Sequence, residues 1–274
     1  MKTAVVYFSA TGNTAIVSDV VAKVLQEQGV DVTKIQITAY KDRQRVFDTE
    51  TYDSFVFGMP VHSWRAPRVV REWLLNLDGR GKRCAMFFTF GGFEINLAHY
   101  STRELLRKSN FVVVSSAEFP AAHTYNIHGG WRAMIGRPND SDFLVAQTFA
   151  QKTCKRLCGE DTGILGGLEQ PDVEESYLDM IESFRFKVVT QLPTRNGEEC
   201  SLCGECEARC PTQAIRAETG VADPERCICC MACVSHCPDD ALKVNDLSTS
   251  WQHKLGMHKT TEADMLKQES RIYL

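Results

Sequence analysis

Ala4-Val5-Val6-Tyr7-Phe8-Ser9-Ala10-Thr11-Gly12-Asn13-Thr14 joins an unbroken apolar run to a short hydroxyl-rich loop, and Ile16, Val17, Val20, Val21, Val24 and Leu25 follow at helical spacing. An apolar run without alternation is the pattern of a strand buried on both faces, as strands of parallel sheets are. Gly29 ends the helical pattern, where a left-handed residue suits glycine. The stretch predicts strand, loop and helix, with the helix N-terminus at the carboxyl end of the strand.

The same alternation continues outward. Residues 30–37, a run ending at 55–58, then 84–89 and 111–115 read as four more strands. Pro67 opens a helix with Val69, Val70, Trp73, Leu74 and Leu77 on its inner face, and 97–108 and 143–158 are further helical stretches. Strands alternating with helices predict an α/β fold over residues 1–165, a doubly wound five-stranded parallel sheet. Ligands of such sheets bind beyond the carboxyl ends of the strands, where the strand order reverses. The loops after Phe8, Gly58 and Thr89 are therefore where a site is expected. Residues 166–192 read as a linker containing a helix or tether at 176–191. Residues 193–246 form a small second domain, and 247–274 a polar tail with a short helix at 262–269.

Nine of the twelve cysteines lie between Cys200 and Cys237, eight of them in two matching runs. The first is Cys200-x₂-Cys203-x₂-Cys206-x₃-Cys210-Pro211, and the second is Cys227-x₂-Cys230-x₂-Cys233-x₃-Cys237-Pro238. Each cysteine recurs at one offset, 27 (227 − 200, 230 − 203, 233 − 206, 237 − 210), and the prolines obey it too. Clustered cysteines without an export signal read as metal ligands rather than as a disulfide framework. Three cysteines at i, i+3 and i+6 let one loop wrap three corners of a cubane, and the fourth, before proline, supplies the last corner of the other cluster. The expectation is two [4Fe–4S] clusters, one on Cys200, Cys203, Cys206 and Cys237, the other on Cys227, Cys230, Cys233 and Cys210. Zinc is the competing occupant, but zinc ribbons pair two C-x₂-C elements rather than two such runs. Cys229 is a ninth thiol, either packed beside the second cluster or redox-active. Cys84, Cys154 and Cys158 read as structural.

These runs resemble those of two-cluster bacterial ferredoxins. The Ser9–Thr14 loop, in turn, resembles the flavodoxin phosphate loop [ST]-x-T-G-x-T, a likeness extending over residues 1–160. The chain thus resembles a flavodoxin–ferredoxin fusion, with an α+β ferredoxin domain behind the flavodoxin-like one. That resemblance implies FMN, its phosphate held by Ser9, Ala10, Thr11, Gly12, Asn13 and Thr14. The isoalloxazine would lie against Pro60, Val61, His62, Ser63 and Trp64 and against Thr89, Phe90, Gly91, Gly92 and Phe93. Trp64 is the first choice for stacking on the ring, with Phe90 or Phe93 as substitutes or Trp64 simply packed; the bland reading of the Ser9–Thr14 loop is an ordinary Ser/Thr helix cap. His123 and His128 fall in the loop after the fifth strand, with a flavin or substrate role or none.

Length and charge agree with this. The chain has 274 residues, 43% of them hydrophobic, and a formal net charge of −4. This balance gives no reason to expect nucleic acid or an anionic membrane surface as partner. The short apolar run after Lys2 is no signal peptide, so a cytoplasmic protein is expected. The function implied is electron transfer between the clusters, FMN and a redox partner protein. Two alternatives are an FMN-dependent reductase whose small-molecule pocket is framed by His62, Trp64, Phe93 and His123, and a regulatory or assembly module that binds no flavin.

Overall fold

The structure, a computed structural model, describes residues 1–168, 170, 172–184 and 191–274. Its strands are β1 (Lys2–Tyr7), β2 (Asp31–Gln36), β3 (Ser54–Pro60), β4 (Arg83–Phe90), β5 (Val112–Pro120) and β6 (Arg271–Tyr273). The helices of the first part are α1 (Asn13–Glu27), α2 (Tyr40–Arg43), α3 (Arg68–Leu75), α4 (Asn96–Lys108), α5 (Thr124–His128) and α6 (Asp140–Leu157). Then come α7 (Glu175–Phe184), α8 (Glu205–Arg209), α9 (Ala232–Ser235), α10 (Trp251–Met257) and α11 (Glu262–Leu266). The expected linker at 166–192, and the helix or tether within it, fall partly outside the described residues.

The sheet runs β2-β1-β3-β4-β5-β6. The first five strands are parallel and in the flavodoxin order, with the reversal between β1 and β3. Alternation along each central strand builds a core on each face. Val6, Phe8, Phe57, Met59, Met86 and Phe88 pack under α3 and α4, while Val5, Val56, Phe87 and Phe119 pack under α1 and α6. Asn139 caps α6, accepting from the backbone N–H of Ser141 and Asp142, while Asp142 accepts from Asn139 N–H in return.

Two expectations about the sheet are corrected. It has six strands rather than five among the described residues, because the tail returns to the edge and β6 pairs antiparallel with β5. A three-residue Arg-Ile-Tyr strand carries too little pattern to be seen in sequence. β5 also runs on to Pro120, past the expected end at 115. Polar Ser115, Ser116 and Glu118 interrupt the apolar run, but distant residues satisfy them. Ser115 Oγ lies 2.7 Å from Thr153 Oγ1, Ser116 Oγ 2.7 Å from His99 Nδ1, and Glu118 Oε2 2.8 Å from His99 Nε2 and 3.0 Å from Tyr273 Oη.

The tail is tied down along its length. Trp131 and Trp251 both donate to Glu262, Arg137 donates to the Gln268 carbonyl, and Ser270 donates to the buried Asp142. Trp131, Met134, Trp251, Leu255 and Met265 form a small core of their own. No helix among the described residues is long and apolar enough to cross a membrane.

Candidate functional site

The parallel ladder fixes where the loops emerge. Phe8 N–H donates to the Gly58 carbonyl, Val61 N–H to Thr89 and Ala121 N–H to Phe90, carrying the sheet's hydrogen bonding into the four loops beyond its carboxyl edge. Together these loops enclose a cleft beyond the carboxyl edge of the sheet, where ligands of such sheets bind. Its walls carry Ser9, Ala10, Thr11, Asn13, Thr14, Pro60, Val61, His62, Ser63, Thr89, Phe90 and Gly91 from the expected loops, and Ala121–Tyr125 from the loop after β5.

At one end stands the N-terminus of α1. Its cap residue Gly12 has φ 102°, a conformation that L side chains rarely adopt, and offers no side chain to the first turn. The hydroxyls around it are already positioned. Thr11 Oγ1 lies 2.8 Å from Thr124 Oγ1, Thr14 Oγ1 lies 2.8 Å from Thr89 Oγ1, and Ser9 Oγ accepts from Ala15 N–H at 3.1 Å. Asn13 Nδ2 donates to the Ala122 carbonyl at 2.9 Å, binding the loop after β5 to the helix start. The cleft lining contains no Lys or Arg. An anion here would rely on backbone N–H groups, hydroxyls and the helix dipole, which suits a phosphate monoester.

At the other end His62 and Arg65 exchange both backbone hydrogen bonds across a tight turn. Its central residues, Ser63 at φ 47° and Trp64 at φ 64°, are both left-handed, the type I′ requirement usually met by Asn and Gly. Ser63 Oγ lies buried on the cleft wall without a hydrogen-bond partner among the described residues. A buried hydroxyl left so costs about 1–3 kcal/mol, and strain with an orphaned polar group suits a wall built for a polar ligand. Both ends therefore fit FMN.

Four expected contact residues, Gly12, Trp64, Gly92 and Phe93, do not line the cleft. Trp64 meets His258 edge-on at 6.2 Å between centroids, and Phe93 packs at a tilt against His258 at 4.4 Å. The tail draws both rings away, a contact no local pattern announces. The rings on the wall are His62, Phe90, His123 and Tyr125, and Lys254 sits 5.2 Å over Tyr125. Of these, Tyr125 escaped the sequence reading. Its only signal is its place after the fifth strand, at the same sheet edge as the other loops.

The cysteine module is two-fold in detail. One small void is bordered by Cys200, Cys203, Cys206 and Cys237. A second is bordered by Cys210, Cys227, Cys230 and Cys233. Thus each run places its fourth cysteine with the other run's first three. The offset of 27 also governs the backbone. Leu202 and Cys229, Gly204 and Met231, and Gln213 and Asp240 are all left-handed pairs, and α8 and α9 follow at matching positions. Leu202 and Cys229 donate N–H to Cys200 and Cys227 Sγ at 3.4 Å, and Ala214 and Ala241 to Cys210 and Cys237 Sγ at 3.2 and 3.3 Å. Such N–H···S bonds are what tunes iron–sulfur centres.

Burial pushes the Cys230 and Cys233 thiols up, Cys233 to about 12, so thiolates there call for a cationic centre. Among the described residues no three or more His, Cys, Asp or Glu side chains are grouped to hold a metal ion. The eight thiols instead border the two voids in sets of four. Cys154 and Cys84 are core thiols, with Cys84 pushed up by desolvation, and Cys158 is exposed. His128 lies away from the cleft lining, with Nε2 2.8 Å from Ser235 Oγ.

The module closes one side of the cleft. Cys229 and Cys230 border both the cleft and the second void. Ile228 and Ala232 join the apolar core beneath α3 and α4. The Arg43 guanidinium donates to the Pro211 carbonyl, and burial lowers its pKa. Nearby, Arg65 donates to Asp179 at 2.7 Å and Glu182 at 2.8 Å, and Arg71 shares Glu182 at 2.8 Å, which fixes α7.

Residues 192–238 match the family model described as 4Fe-4S dicluster domain. Among solved structures the chain is similar to a flavodoxin from the domain Archaea, at 17% identity over 58% of this chain and 99% of that one, with a TM-score of 0.44. It is also similar to the flavodoxin of Streptococcus pneumonia TIGR4, at 17% identity over 58% of this chain and 99% of that one, TM-score 0.42. A third similar structure is the rubredoxin oxygen:oxidoreductase of the anaerobe Desulfovibrio gigas, at 15% identity over 58% of this chain and 36% of that one, TM-score 0.43. No curated protein matched. With the strand order above, the dicluster match makes the chain a flavodoxin-like sheet joined to a ferredoxin-type dicluster segment, as expected from its motifs.

Proposed function

We propose that this chain is an electron-transfer flavoprotein that passes electrons between two [4Fe–4S] clusters and FMN and exchanges them with a redox partner. The observation that carries the reading is the shared wall, since Cys229 and Cys230 border both the flavin cleft and the second cysteine void. FMN accepts two electrons and can release them singly, whereas each cluster carries one, so the pair converts between the two modes. The residues divide the work accordingly. The Ser9–Thr14 loop holds the phosphate, the 60–63 and 89–91 loops set the ring, and the backbone N–H groups on the cysteine sulfurs tune the clusters.

The test is an anaerobic preparation in which iron, sulfide and FMN are counted. About eight irons and one FMN per chain are expected from two four-iron clusters and one flavin. Four irons or fewer after reconstitution, or bound zinc, refutes the cluster reading. Intact clusters with no flavin taken up refute the electron-transfer reading in favour of a non-flavin module. A reductase acting on a small molecule is the second reading, favoured by His123 and Tyr125 on the cleft wall. Turnover of a small acceptor by pre-reduced protein without any partner distinguishes it.

A further inference from the structure

The two clusters are not equivalent in their surroundings. Of the eight motif cysteines only Cys230 lines the flavin cleft, and it belongs to the second set. No cysteine of the first set reaches the cleft. Conversely, the one exposed motif cysteine, Cys203, belongs to the first set. Its neighbour Leu202 is 57% exposed, the exposed Glu198 and Glu199 immediately precede the first run, and the exposed Asp239 accepts from Ser201 N–H and Oγ at 2.8 and 2.7 Å. Of the cations there, Arg209 is engaged with Glu205, and Arg195, on the border of the first-set void, is turned to the Ala217 and Glu218 carbonyls.

Resting on the electron-transfer reading above, we infer that the relay has a fixed order of partner, outer cluster (Cys200, Cys203, Cys206, Cys237), inner cluster, flavin. We also infer that the acidic rim around Leu202 and Cys203 docks a one-electron carrier protein with a cationic face. Each passage removes one electron from the carrier and leaves the outer cluster reduced. The inner cluster then takes that electron and passes it through the wall at Cys229 and Cys230, and two passages reduce the flavin by two electrons, with protons from solvent. Opposite charges around a small apolar contact raise the encounter rate and set the orientation, and salt weakens them. The competing entry is the groove beside Cys227, whose walls mix Arg68, Arg71 and Lys108 with Glu72 and Glu175 and so present no single sign of charge.

The experiment uses anaerobic holoprotein whose iron and FMN have been counted, so failure of the underlying reading appears before any rate is measured. Reduced methyl viologen, a cationic one-electron donor, is mixed with oxidised protein, and flavin bleaching is followed at low and high salt. Wild type should be reduced several-fold faster at low salt. Glu198→Lys/Glu199→Lys should abolish or reverse that salt dependence, while Arg68→Gln/Lys108→Gln beside the groove should leave it unchanged. A salt dependence untouched by the rim variant, or altered by the groove variant alone, overturns the inference. Flavin fluorescence tests the order separately. Cys203→Ala should lose the outer cluster and keep the flavin quenched, whereas Cys230→Ala should release the quenching. The opposite pattern makes the first set the inner cluster.

Discussion

An alanine at position 91 is a sharp probe of the cleft. A Cβ built on Gly91 lies 2.1 Å from His123 Cδ2, 2.4 Å from Cγ and 2.6 Å from Cβ, where ordinary contact begins at 3.4 Å. Because the His123 Cβ itself is struck, rotating the ring is no escape, and the backbone of the 121–125 loop must retreat. That loop carries the Ala122 carbonyl bonded to Asn13 and the Thr124 hydroxyl bonded to Thr11, so retreat also disturbs the phosphate end. Overpacking of this kind costs about 1–3 kcal/mol, and where the bound form feels it most, affinity falls about 5- to 150-fold. The assay is a fluorescence titration of flavin-free, cluster-loaded Gly91→Ala with FMN, alongside urea unfolding. Gly166→Ala serves as the control, because its added Cβ meets nothing within 4 Å. If Gly91→Ala binds FMN as tightly as wild type and unfolds at the same midpoint, the packing argument is refuted and the loop is not a wall of the flavin site.

Three other perturbations have expected outcomes. Ser63→Ala removes a buried hydroxyl without a partner. The flavin-free protein should be as stable or up to about 1 kcal/mol more so, while FMN affinity drops about threefold to tenfold; unchanged affinity would show that the hydroxyl does not face the flavin. Glu182→Gln takes the shared carboxylate from Arg65 and Arg71, leaving Arg65 buried beside an exposed Asp179. A loss of about 2 kcal/mol or more should follow, seen as faster proteolysis within α7. Burial, reinforced by Glu118, pushes Tyr273 up to about 12, above its ordinary value of about 10. The folded state thus holds this proton more tightly, and its contribution is whole below pH ~10 and lost as pH rises toward 12. Urea midpoints should fall across that window in wild type, whereas Tyr273→Phe should start about 1–2 kcal/mol lower, having lost the hydrogen bond to Glu118, and lack the extra fall.

Legibility followed the range of the interactions. The five parallel strands, the helix after the first loop and both cysteine runs are written in local periods and spacings, because burial on two faces and the wrapping of a cluster each act over a few residues. The offset of 27 goes further, pairing each fourth cysteine with the opposite run. What sequence alone left undecided depends on segments far apart in the chain. β6 exists because Tyr273 and Arg271 find the edge of β5 and the buried Glu118 there. Trp64 and Phe93 leave the cleft because the tail supplies His258 to pack against. Tyr125 joins the wall because Asn13 holds its loop against α1. The joint between the two parts is likewise tertiary. Ile228 and Ala232 bury themselves in the core beneath the sheet, and that packing brings Cys229 and Cys230 to the cleft and leaves Cys203 facing solvent. Spacing can say which thiols share a cluster, since that is a property of one loop and its repeat. Which cluster stands next to the cleft depends on how two separately formed cores dock, and only the packed structure decides that.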